Sequence, residues 1–90
     1  MRRPHLGDQE LEVLRFIAEH GPLTVGRATE GFGTPRGLSR STVKTVMERL
    51  HRKGYLSRMQ DGGVFHYACQ VPQEELVGGL VQQFIEKTLA

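Results

Sequence analysis

The chain has one cysteine, Cys69, and no apolar run close to the ~20 residues that a bilayer span requires. A single thiol excludes an internal disulfide framework and fits a reducing compartment, so a cytoplasmic protein is expected. The opening Met1-Arg2-Arg3-Pro4 has no apolar stretch behind it, and no secretory signal is expected. Repeats and low-complexity segments are missing. Catalytic patterns are missing too. No Ser, Cys or Thr lies in a nucleophile elbow, and the glycine-rich stretch 31–37 lacks the lysine of a phosphate-binding loop. His5, His20 and His51 have no partner at ligand spacing. His66 and Cys69 are three apart on a presumed strand, which sends them to opposite faces. Neither an enzyme nor a metal or cofactor site is expected.

Ninety residues make one domain. The net charge of +2 is unremarkable, but its distribution is uneven. Between Arg36 and Arg58 stand seven cations (Arg36, Arg40, Lys44, Arg49, Arg52, Lys53, Arg58) and one acid, Glu48, so this stretch carries +6 and the remainder −4. A positive face on an acidic body suits a polyanionic partner; a basic solvated helix face is the plainer alternative.

Apolar spacing divides the chain into elements. Leu11, Leu14, Ile17 and Ala18, widened by Val13 and Phe16, predict a first helix over 8–20, capped at Gly7 or Asp8 and stopped by Gly21-Pro22. Leu23 can form one short strand. Thr24 can cap a weak second helix over 25–31, and "GFGTPRGLS", residues 31–39, predicts a loop. Ser39 caps a third helix, 40–53, ending at Gly54. "YLSRMQ", "DGG" and "VFHYACQ" predict a hairpin whose register stays open, because two- and three-residue turns pair opposite faces. Pro72 opens a fourth helix. The fold class is therefore mainly α with a small β-hairpin. This is the order of a winged helix-turn-helix, with a three-helix core, a two-stranded wing and a C-terminal helix.

At about 100° per residue, Val43, Val46, Met47 and Leu50 share one side of the third helix. Ser41, Thr45, Glu48 and Arg52 lie opposite, flanked by Lys44 and Arg49. Short hydroxyls come first and long cations follow. That gradient suits a helix whose start enters a major groove while later cations meet phosphates. Glu48 is four residues from both Lys44 and Arg52; pairing with them is favoured over accepting from a cytosine amino group. On the hairpin, Arg58, Gln60 and His66 lie near the Gly62-Gly63 tip, where a wing reaches a phosphate or the minor groove.

The segments "LGDQELEVLRFIAEHGPLTV", "LSRSTVKTVMERLHRKGYLSR" and "DGGVFHYACQVPQEE" resemble the winged-helix domain of the penicillinase-repressor family (BlaI/MecI-like, with a copper-responsive branch). The resemblance covers roughly residues 6–85 and is most specific at Ser41–Leu50 and at Lys53-Gly54-Tyr55-Leu56. It implies a bacterial homodimeric repressor that binds palindromic operators in double-stranded DNA and is released by a signal, through a sensor protease or another inducer. It also implies that the third helix is the recognition helix. Ser41, Thr42, Lys44 and Thr45 then lie at the DNA, with Arg40 beside them, Arg49 and Arg52 near the backbone and Arg58 on the wing.

Residues 73–90 carry Leu76, Val77, Leu80, Val81, Phe84, Ile85 and Leu89, a wide apolar face for a terminal helix. A second copy of the chain is the expected cover, with Leu76, Val77, Leu80, Val81, Phe84 and Ile85 at the contact; the alternative is packing back on the wing. Residues 1–71 would then form the DNA-binding domain and 72–90 the start of a dimerisation region. From other classes, a winged helix serving only protein contacts remains open. RNA binding is disfavoured, because only Tyr55, Phe65 and Tyr67 are available to stack bases.

Overall fold

The computed structural model describes residues 5–71, and the expected fourth helix, with its dimerisation residues, lies outside them. The first helix, α1 (Asp8–His20), starts at Gly7 and ends at Gly21. It buries Glu10, Val13, Leu14 and Ile17, while Leu11, Phe16 and Ala18 are half-buried at the edges of that stripe. Thr24 caps the second helix, α2 (Val25–Ala28), by accepting from the Arg27 N–H at 3.1 Å. Between them, Leu23 exchanges backbone hydrogen bonds of 2.9 and 2.8 Å with Tyr67, so the expected single-residue strand is present.

The segment after α2 departs from the expected helix over 25–31 and loop over 31–39. Helical backbone continues from Ala28 as one wide π turn, Thr29–Gly33, then tightens into a 3-10 turn, Thr34–Arg36. It ends where Gly37, in the left-handed region at φ 72°, lets the Leu38 N–H bond the Gly33 carbonyl at 2.9 Å. The glycines and the proline marked a loop, but two of these glycines serve packing instead. A Cβ on Gly31 would lie 2.7 Å from the Phe16 ring, and one on Gly33 would lie 2.7 Å from a Val43 methyl. Bareness there lets the turn close onto α1 and the following helix.

That helix, α3 (Arg40–Arg52), ends one residue earlier than expected. Lys53 is its C-cap, and the left-handed Gly54 allows the 2.9 Å bond from the Tyr55 N–H to the Leu50 carbonyl. The chain then enters the antiparallel strands β1 (Leu56–Asp61) and β2 (Val64–Cys69). Asp61 pairs with Val64 across Gly62-Gly63, so the open register resolves to a two-residue turn. Both turn residues have positive φ, 60° and 79°, the combination whose twist matches that of the strands.

One core unites these elements: Leu6, Val13, Leu14, Ile17, Phe32, Val43, Val46, Met47, Leu50, Leu56, Tyr67 and Val71 are all buried. Each large aliphatic or Phe side chain removed from water contributes roughly 1.5–3 kcal/mol. Leu56 is the only buried residue of β1, so the wing runs out beyond the core and exposes both its faces. Cys69 is half-buried and packs at the margin of the core.

Candidate nucleic-acid interface

The surface of α3 follows from what its inner face must do. Val43, Val46, Met47 and Leu50 are 0–3% exposed. Holding these four inside fixes the rotation of the helix, which leaves Ser41, Lys44, Thr45, Arg49 and Arg52 exposed and Thr42 half-buried. Hydroxyls organise its first turn. Ser39 Oγ accepts from the Thr42 N–H at 3.2 Å and lies 3.0 Å from Thr42 Oγ1 and 3.1 Å from Ser41 Oγ. Thr45 Oγ1 donates to the Ser41 carbonyl at 2.9 Å, which leaves its oxygen able to accept on the exposed face.

Glu48 departs from the expected pairing. It makes no ion pair with Lys44 or Arg52 among the described residues, so neither cation is neutralised by it. The basic segment is not uniformly available, however. Lys53 turns away from the outward face and donates to both carboxylate oxygens of Glu10, at 2.9 and 2.8 Å, and to the His5 carbonyl at 3.3 Å. Arg36 lies 3.9 Å over the Phe32 ring and donates to the Phe32 carbonyl. Arg40 leans away from α3 toward the start of α2, where its guanidinium would lie 3.7 Å from a Cβ on Gly26.

Sequence reasoning missed the role of Glu10. Its carboxylate also accepts from the Gly7 N–H at 2.9 Å, which closes the start of α1. Burial pushes the Glu10 carboxyl up. The hydrogen bonds from Lys53 and Gly7, with the positive charges of Lys53 and Arg49, outweigh that and hold it below the usual carboxylate value. The i, i+3 spacing from Gly7 was a visible signal; a partner 43 residues away was not.

The wing separates residues that had been grouped. Arg58 pairs with Tyr67 and Gln60 with Phe65, so those four share one face. His66 pairs with Met59 on the other. Arg58 is held 4.1 Å over the ring of Phe65, which is 41% exposed. Between α1 and α3 runs an open groove of about 280 Å³, lined by Gln9, Ser41, Thr42, Thr45, Val46 and Arg49. Gln9 had not been anticipated there. No cluster of three or more metal-ligating side chains occurs among the described residues, and no helix among them is long and apolar enough to cross a membrane.

The whole arrangement has close counterparts. The penicillinase repressor of Bacillus licheniformis is 25% identical over 84 residues, which are 93% of this chain and 66% of that protein. Transcriptional regulator BlaI of Mycobacterium tuberculosis is 34% identical over 77 residues, 84% of this chain and 56% of that one. The chain thus spans between about half and two thirds of these relatives' lengths. Among solved structures, the DNA-binding domain of the repressor BlaI superposes with a TM-score of 0.72 at 27% identity, covering 82% of this chain and 90% of that one. The B. licheniformis BlaI monomeric form in complex with the blaP half-operator gives 0.69, with the same identity and coverage. A family model described as penicillinase repressor matches residues 6–90, and with it the expected winged-helix fold is met: the chain belongs to the penicillinase repressor family.

Proposed function

We propose that this chain is the DNA-reading part of a cytoplasmic transcriptional repressor with no enzymatic activity, binding a palindromic operator as a homodimer with one α3 in the major groove of each half-site. The observation that carries the reading is the outward face of α3. It presents Ser41, Lys44, Thr45, Arg49 and Arg52 to solvent, while four apolar residues on the other side anchor it. A relative of the same fold is known in complex with a half-operator, which supports the same docking here. In this pose Ser41, Thr42, Lys44 and Thr45 face base edges. Arg49 and Arg52 neutralise phosphates, Arg40 reaches the backbone beside α2, and Arg58 reaches it from the wing. Residues 1–71 form the reading domain, and the apolar residues from Leu76 to Ile85 begin the contact with the second copy.

Selection of bound duplexes from a random pool, followed by anisotropy titrations at several salt concentrations, tests this. Arg52→Ala weakens every duplex alike and flattens the plot of log affinity against log salt by about one unit. Changes at Lys44 or Thr45 instead shift the preferred base, each good contact contributing roughly 1–3 kcal/mol of discrimination. A pool that yields no consensus, with equal affinity for all duplexes, overturns the proposal. Binding of a protein that survives reversal of charge at Lys44 and Arg52 would point to an interaction module instead.

A further inference from the structure

The two flanks of α3 are built differently. On the wheel, Lys44 lies to one side of the outward stripe and Thr42 and Arg49 to the other. The second flank is walled by the first turn of α1, so that Gln9 lines the same groove as Ser41, Thr42, Thr45 and Arg49. A recognition helix seated in a major groove has a phosphate strand on either side. Any strand passing this flank runs along that groove.

Gln9 is well placed to meet it. It is exposed and its side chain makes no hydrogen bond with another described residue, while its neighbours are occupied: Glu10 holds Gly7 and Lys53, and Asp8 has a contact of its own. The partly buried Glu10–Lys53 pair joins the first turn of α1 to the end of α3, which fixes the distance across the groove. Arg49 supplies the only positive charge among the lining residues, and Gln9 supplies a neutral pair of N–H donors.

We propose that Gln9 and Arg49 together hold one phosphodiester of the duplex backbone, Arg49 by charge and Gln9 by donation from its carboxamide, so that α1 helps set the depth and register of α3. The inference rests on the reading of α3 as the recognition helix. It adds a contact that carries no base information, since a phosphate is the same at every step.

Anisotropy titrations with the selected operator and with a scrambled duplex test it. Gln9→Ala weakens both duplexes by the same factor, about tenfold, and leaves the salt slope unchanged, because a neutral donor releases no counterion. Gln9→Lys steepens the slope by about one unit, and Arg49→Ala flattens it by about one. The double variant Gln9→Ala/Arg49→Ala loses less than the product of the single losses, as expected of groups sharing one phosphate. Melting temperatures of the Gln9 variants stay at the wild-type value, which separates lost binding from lost fold. Wild-type affinity in Gln9→Ala together with an unchanged slope in Gln9→Lys overturns the Gln9 contact; if Arg52→Ala still behaves as stated above, the functional reading survives. Failure of the wild type to bind any duplex overturns both.

Discussion

At the scale of single residues, the Glu10–Lys53 pair decides more than its exposed neighbours do. The side chains are 12% and 28% exposed, and the carboxylate accepts three hydrogen bonds. The exposed Arg15–Glu19 pair, at 69% and 57%, is of the kind that contributes little. Because the Glu10 pKa is lowered by folding, its stabilisation is present above the ordinary carboxylate value of about 4.3 and is lost as pH falls through the folded value. Glu10→Gln therefore lowers the melting temperature at neutral pH, and the gap from wild type closes as pH falls below about 4. Lys53→Met is the harsher change at neutral pH, about 2 kcal/mol, because it leaves a buried carboxylate without its cation. Its deficit shrinks on acidification, when Glu10 becomes neutral. Thermal melts of both variants between neutral pH and roughly pH 3 decide the matter. A pH-independent gap for Glu10→Gln would remove the charge from the account.

At the scale of elements, what could be read in the sequence was whatever depended on neighbours in the chain. The first and third helices, the caps at Thr24 and Ser39 and the stop at Gly54 follow from local spacing and capping chemistry, and all stand in the structure. The outward face of α3 was legible for the same reason: four apolar residues fix its rotation. Three features were not. The hairpin register turned on one residue of turn length. The fate of Lys53 turned on Glu10, far away in sequence. The turns after Ala28 were hidden because glycine there serves close packing, which composition does not distinguish from loop flexibility. This last point predicts unequal costs. At Gly33 an added Cβ meets a methyl of the fully buried Val43 at 2.7 Å and the Leu38 backbone carbonyl at 3.2 Å. At Gly31 the three nearest atoms all belong to the ring of the half-buried Phe16. Gly33→Ala accordingly destabilises by about 1–3 kcal/mol and moves the start of α3. Gly31→Ala costs less, since a half-buried ring can give way. Chemical denaturation of the two variants compares them directly, and equal midpoints would contradict the packing argument.

At the scale of the whole molecule, charge and the proposed pairing of two copies bear on how the parts work together. Much of the +6 stretch lies on α3 and the wing, so on the proposed reading a duplex would be drawn to the side where base edges can be reached. If α3 is the recognition helix, one domain offers one such helix, enough for one half-site. Discrimination over a genome requires more contacts than that, and in the proposed homodimer a second copy would supply them without new chemistry. Half-sites about one helical turn apart, ~34 Å, would suit such a pair. The segment from Leu76 to Ile85 carries the apolar residues to join two copies. If it does, placing charge there separates two quantities that a single chain binding alone would keep together. Leu80→Asp with Phe84→Asp leaves affinity for an isolated half-site within about twofold, because the reading domain is untouched, and abolishes the extra affinity for the two-half-site operator. Sedimentation of the variant then shows monomer at concentrations where the wild type shows dimer. A variant that still prefers the full operator as strongly as wild type would take these residues out of the interface and leave the joining of the two copies to another surface.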